Sequence, residues 1–441
     1  MSKVLFTNGI ILTVDPGMTV HWPGHVAIEN GEIVAVGGGE PPADSGDVID
    51  LDGDILMPGM VNTHCHLAMS LFRGLGDDEP DRLKRYIFPL EKRFVSPEMV
   101  YLGSLLAGLE LAEGGVTTVA DMYYFETQAG RALETLGLRG VVGQTIVDFA
   151  APDAPTTNDG FAQFERLAAD FRDHPTITAS IAPHAPYTTG LEILRRVDAA
   201  SRSTGLPVQI HVAEMDFEAD WVRDHCGGSP VDLLDQSGLL RTGVIAAHCL
   251  WVDDRDIAKL ARGGVAVAHN AGANVKGGRG IAPILDMMAA GVTVGLGSDG
   301  PMSGNTIDLF AQMSQVAKLQ KLRARDRTVM PAIDVVRLAT IGGAKALGLD
   351  DKIGSLEPGK RADIVRISRN AARLHPLHDP YAALVYAALP SDVSDVMVDG
   401  RFIVRDGRIT TVNRGDLLAE ADAYADQMRQ SLQRATANSL R

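Results

Sequence analysis

The chain has 441 residues, 45% of them hydrophobic and 22% charged, an ordinary globular composition with room for a large core and more than one domain. Its 41 basic and 56 acidic residues leave a net charge of -15, which argues against nucleic acid or an anionic membrane as the main partner. No apolar run approaches the roughly 18–20 residues of a membrane span, and Cys65, Cys226 and Cys249 are too few and too scattered for a disulfide framework or a zinc ribbon.

The N-terminus, MSKVLFTNGIILTVD, alternates like a strand and lacks the continuous apolar segment of a signal peptide, so a cytoplasmic protein is expected. Short strands with turn punctuation fill the first fifty-odd residues, and the "ENGE" at Glu29–Glu32 is an Asn-Gly hairpin signal. The middle of the chain changes texture. Eight β-branched apolar runs recur there: LMPGMVNTHCH, GVTTVADMY, RGVVGQTIVD, TITASIAPH, PVQIHVAE, GVIAAHC, GVAVAHN and GVTVGLGSD. Between them lie amphipathic stretches such as PEMVYLGSLLAGLELAEG, each closing near a glycine as helix C-termini do. Continuous apolar runs alternating with helices over about 250 residues match a parallel (β/α)8 barrel. Alternating strands with Asp-Gly turns return in ADIVRIS and DVMVDGRFIVRDGRITTV. The expected architecture is therefore α/β: a (β/α)8 TIM barrel over 58–360 and a small β-sandwich domain built from both chain termini, 1–57 with 361–412. A packing helix occupies 413–441.

In such a barrel the chemistry sits at the C-terminal ends of the strands. The first run ends in His64 and His66, the fourth in His184, and the fifth carries His211 and Glu214. The sixth ends in His248, the seventh in His269 and Asn270, and the eighth in Asp299. His64 and His66 share one face of their strand while Cys65 points to the other. A lone histidine at a strand end is usually structural. Several imidazoles and carboxylates converging on one barrel mouth point instead to a metal, and this donor set suits Zn²⁺ and, less well, Fe²⁺.

Taken in order and spacing, "VNTHCHL", "IHVAE", "AAHC", "AHNAGANVKGGRGIAPI" and "GLGSDG" resemble the amidohydrolase superfamily. The similarity is to its mononuclear-zinc branch of S-adenosylhomocysteine/methylthioadenosine deaminases, guanine deaminase and triazine hydrolases, and it covers nearly the whole chain. The resemblance implies that His64, His66, His211 and Asp299 hold one metal per chain, with His248 beside them rather than a full ligand. It implies Asp299, Glu214 and His248 as the catalytic residues. Asp299 would accept a proton from water activated by the metal, and Glu214 would protonate a ring nitrogen. Glu214 follows His211 by three residues, so it reaches the site only if the strand has ended and the chain turns back. The implied reaction is hydrolytic deamination of an amino-substituted nitrogen heterocycle, such as a purine base, nucleoside or pterin. The alternative is release of an amine or chloride from a triazine-like ring.

Where adenosine-type deaminases carry an acid followed by Trp-Leu, this chain reads "DEPDRLKRYIFPLEKRF". Asp81 takes the acid's position and Arg82 the tryptophan's. Asp81, His184 and Glu214 are the expected substrate contacts, and Arg73 offers a further cation. Trp22, Trp221 and Trp251 read as packing residues. The expected partner is thus a small heterocyclic substrate, with no nucleic acid and no membrane. Barrels of this kind often pair, so a homo-oligomer is allowed.

Overall fold

The computed structural model describes residues 3–42, 46–79 and 82–439, and its strands form two sheets. One is parallel and eight-stranded. Its strands are β1 (Met60–Cys65), β2 (Val116–Tyr123), β3 (Arg139–Ile146) and β4 (Ile177–Pro183). They continue as β5 (Val208–Val212), β6 (Val244–His248), β7 (Ala266–His269) and β8 (Val294–Leu296). Neighbours in sequence are neighbours in the sheet, and almost every strand residue is buried, as both faces of such a sheet are covered. The last strand returns to the first: the backbone N–H groups of Ser298 and Asp299 both donate to the His64 carbonyl, each at 3.1 Å. This is the expected (β/α)8 barrel.

The helices between the strands begin and end where the sequence punctuates them. The helix Pro97–Glu113 starts with proline in its first turn and Ser96 as cap, its side chain accepting from Met99 N. Gly137, Gly205 and Gly264 close three others in left-handed conformations. No single helix among the described residues is long and apolar enough to cross a membrane.

The second sheet takes strands Lys3–Leu12, Val20–Glu29, Glu32–Gly38, Asp47–Asp50 and Ile55–Pro58 from the front of the chain. Ile364–Ile367, Val393–Val398, Arg401–Arg405 and Arg408–Ile409 join from the back. The Asn30-Gly31 turn has both φ angles positive, at 53° and 80°, as a tight hairpin requires. All nine strands, from both chain termini as expected, belong to one mixed sheet. The sheet curls onto itself. Three strands separate Lys3–Leu12 from Arg401–Arg405, about 19 Å if flat, yet the Phe6 and Phe402 rings lie 6.3 Å apart. Ile11, Val26, Ile28, Leu56 and Ile364 fill the enclosed core.

The first apolar run of the barrel proves to be two strands. Ile55–Pro58 pairs with Ile364–Ile367 in the terminal sheet, and only Met60–Cys65 enters the barrel. Gly59 marks the division, because a Cβ there would lie 2.1 Å from the Thr117 hydroxyl. The sheet and the barrel are tied by a buried bidentate ion pair. Arg139 on β3 donates to the two oxygens of Asp363 at 3.0 and 3.1 Å.

Candidate active site

Strand ends bring His64, His66, His211, His248 and Asp299 together. His64 and His66 share a face as alternation requires, and their Nε2 atoms lie 3.9 and 3.4 Å from Asp299 Oδ1. His66 Nδ1 meets the Met122 carbonyl at 2.7 Å, and His211 Nδ1 meets the His184 carbonyl at 2.6 Å. A carbonyl only accepts, so each of these rings carries its proton on Nδ1 and leaves Nε2 bare. The two bare nitrogens face each other at 3.2 Å. Two lone pairs at that separation repel, and a cation between them removes the repulsion. His64 Nε2 is likewise buried without a hydrogen-bond partner. Burial, then the neighbouring imidazoles, holds His64 and His211 well below the usual histidine range, so both are neutral donors. This arrangement fits a divalent metal. His64, His66 and Asp299 form one set with all donor atoms within 4.8 Å, and His64, His211 and His248 form another. No cysteine joins these sets among the described residues; buried Cys65 turns its Sγ to the Asp299 carbonyl at 3.5 Å.

Backbone conformation aims the remaining groups. The strand β5 ends at Val212, and Ala213 takes a left-handed φ of 51°, which turns the chain back as the position of Glu214 demanded. Glu214 Oε1 then lies 3.6 Å from His248 Nε2. His248 and Asp299 also have positive φ, 73° and 59°, in a region where non-glycine residues cluster at functional sites. His248 gives its Nδ1 proton to Asn274 Oδ1 at 2.8 Å, so Nε2 is again the free nitrogen. Asn270 Nδ2 approaches that nitrogen at 3.4 Å. Burial pushes the Glu214 carboxyl up, but the cationic surroundings, in which Arg279 keeps its charge when the imidazoles are neutral, outweigh it and hold the group below the usual carboxylate range. The Glu214 backbone N–H is fixed by buried Glu218 Oε2 at 3.0 Å.

A cavity of about 630 Å³ opens over this cluster. His184 lines it, with Nδ1 bonded to the Thr188 hydroxyl at 3.0 Å. That hydroxyl gives its own proton to the Ala185 carbonyl, so His184 Nε2 is an acceptor. Arg82 also lines the cavity, tied to Asp77 and to the Met302 and Leu75 carbonyls. Asp81 lies outside the described residues. Arg73 does not line the cavity and pairs with Glu110.

The cavity also holds residues the sequence reading missed. Glu91 is a wall residue, buried, with its carboxyl raised to about 7 by burial against the pull of Tyr123 and His66. Its signal was a lone acid in the apolar stretch "IFPLE". Arg279, within the "GGRG" of a quoted motif, donates to Glu214 Oε1. Trp251 is no packing residue: it is 49% exposed and stands at the cavity wall with Phe88, Tyr123, Tyr124 and Tyr187.

Fold and cavity together define a class, a (β/α)8 barrel whose strand ends gather imidazoles and carboxylates suited to a divalent metal beside an ionised glutamate. The chain belongs to the amidohydrolase family, whose sequence profile matches residues 55–403. It is 39% identical over 422 residues to the 5-methylthioadenosine/S-adenosylhomocysteine deaminase of Syntrophobacter fumaroxidans, covering 95% of this chain and 96% of that one. It is 37% identical to the 5'-deoxyadenosine deaminase of Methanothermobacter thermautotrophicus, covering 92% and 95%. Among solved structures, an adenosine deaminase from Xanthomonas campestris with bound zinc superposes with a TM-score of 0.94 at 34% identity, over 97% of this chain and 98% of that one. An atrazine chlorohydrolase from Arthrobacter aurescens shares the fold, at a TM-score of 0.90 and 22% identity over 96% of this chain and 100% of that one.

Proposed function

We propose that this chain is a metal-dependent aminohydrolase that removes the exocyclic amino group of an adenosine-type nucleoside as ammonia. Its metal is one Zn²⁺ ion, held by His64, His66, His211 and Asp299. A bound zinc ion brings the pKa of water near neutrality, which supplies a nucleophile. His248 Nε2 accepts a hydrogen bond from the attacking water and orients it. Glu214, ionised at rest, takes one proton of the water and passes it to the ring nitrogen beside the amino-bearing carbon, which makes that carbon more electrophilic. Asp299 takes the water's other proton as the carbon is attacked and returns it to the departing amino group. Water adds, ammonia leaves, and the ring keeps a carbonyl in place of the amine. The aromatic wall packs the heterocycle, and His184 Nε2 accepts from a substrate N–H or O–H.

The observation that carries this reading is Glu214, an ionised carboxylate turned back onto a cluster of metal donors. A binding-only barrel needs no proton carrier there. The names of the relatives at 39% and 37% identity support the adenosine-type ring. The experiment is ammonia release from metal-analysed protein against adenosine, 5'-deoxyadenosine, 5-methylthioadenosine, aminopurines, pterins and triazines, each repeated after chelation. Chelator-sensitive ammonia from the adenosine group is the expected result. Chloride or amine release from triazines without ammonia from nucleosides would replace the reading.

A further inference from the structure

We infer that Arg279 is a positioning residue for Glu214, holding its carboxylate against the donor cluster in the orientation that proton transfer to substrate requires. The inference rests on the reading of Glu214 as the proton carrier. Glu218 fixes only the backbone N–H of Glu214, and several rotatable bonds separate that anchor from the carboxylate. The carboxylate itself meets two groups, and both meet the same oxygen. Arg279 Nη1 donates to Oε1, and His248 Nε2 stands 3.6 Å from it. No hydrogen-bond partner among the described residues holds Oε2, so this oxygen is left for the substrate. The anchored and the working oxygen are thereby separated, which preorganises a flexible side chain.

Arg279 is itself placed by the residue that places His248. Its backbone N–H donates to the Asn274 carbonyl at 2.9 Å, and the Asn274 side chain accepts from His248 Nδ1 at 2.8 Å. Glu214, Arg279, Asn274 and His248 form a closed loop of contacts. The loop carrying Arg279 bends through Gly278 and Gly280, with φ of 65° and 121°, conformations that side chains rarely adopt. A guanidinium on that turn reaches over the cavity it lines.

The test uses the zinc-loaded full chain and its Arg279→Gln and Arg279→Lys variants, with 5'-deoxyadenosine as substrate. Zinc content and melting temperature confirm that each variant is folded. In Arg279→Gln we expect kcat to fall about 10- to 100-fold with KM changed less than about threefold. Arg279→Lys restores part of that loss, because it returns the charge without the planar fork. An unchanged or raised kcat, or a loss confined to KM, overturns the inference; the last would make Arg279 a substrate contact. Crystal structures decide independently of turnover. In Arg279→Gln the Glu214 carboxylate should leave His248, and finding it unmoved would overturn the inference. If the wild-type chain deaminates no nucleoside, the proposed function fails and the crystal structures still judge the role of Arg279.

Discussion

His66 and His211 carry their ring protons on Nδ1 because a main-chain carbonyl faces each Nδ1, at 2.7 and 2.6 Å. Their bare Nε2 atoms are therefore donors in search of a cation, and Asp299 supplies the charge beside them. Replacing Asp299 by Ala should lower bound zinc well below one per chain and abolish turnover, as metal analysis and ammonia release will read; a metal-replete, active variant would refute its role. Glu214→Gln separates the other function. It should keep its zinc while kcat falls about 10²- to 10⁴-fold, because on the proposed mechanism only a proton carrier is lost. At this scale histidines and the terminal aspartate were legible, since strand alternation and strand ends dictate where they point. Glu91 and Arg279 were not, because Glu91 comes from a two-turn helix too short to show a period and Arg279 from a loop whose course no periodicity encodes.

Among the elements, the seam between β1 and β8 matters most. It sets Asp299 beside His64, and its hydrogen bonds run from two consecutive amides to one carbonyl. Gly297, just past β8, permits that approach: a Cβ there would lie 2.1 Å from Asn270 Oδ1 and 3.1 Å from His64 Cβ. Gly297→Ala should destabilise the protein by about 1–3 kcal/mol through overpacking and should weaken zinc retention as well, measured by urea unfolding and by dialysis against chelator. Unaltered stability and zinc retention would show that the seam adjusts freely. The eight strands could be counted from apolar runs. The first of these runs serves two sheets and divides at Gly59, which packs on Thr117.

Across the whole molecule the barrel and the terminal sheet share the buried Arg139–Asp363 pair. Asp363 also accepts from the Asp399 N–H at 2.8 Å, so it joins β3 to the C-terminal strands of the terminal sheet. Asp363→Ala leaves the buried guanidinium with only the more distant Asp399 carboxylate, at 3.7 Å, as charged partner and should cost about 3 kcal/mol, while the folded fraction keeps its kcat because the pair lies away from the cavity. Equilibrium unfolding alongside active-site-normalised rates checks both halves, and a stability loss under about 1 kcal/mol would contradict the burial argument. The sequence by itself determined the barrel, the terminal sheet and the candidate donors, because hydrophobic period, turn chemistry and strand alternation are local properties. Tertiary structure alone decided which groups meet. Closure brings Asp299 to His64, 235 residues away in sequence, the left-handed Ala213 turns Glu214 inward, a loop delivers Arg279, and the short helix Phe88–Phe94 delivers Glu91. Such contacts join residues far apart in the chain, and their geometry follows from packing the whole barrel rather than from any local pattern.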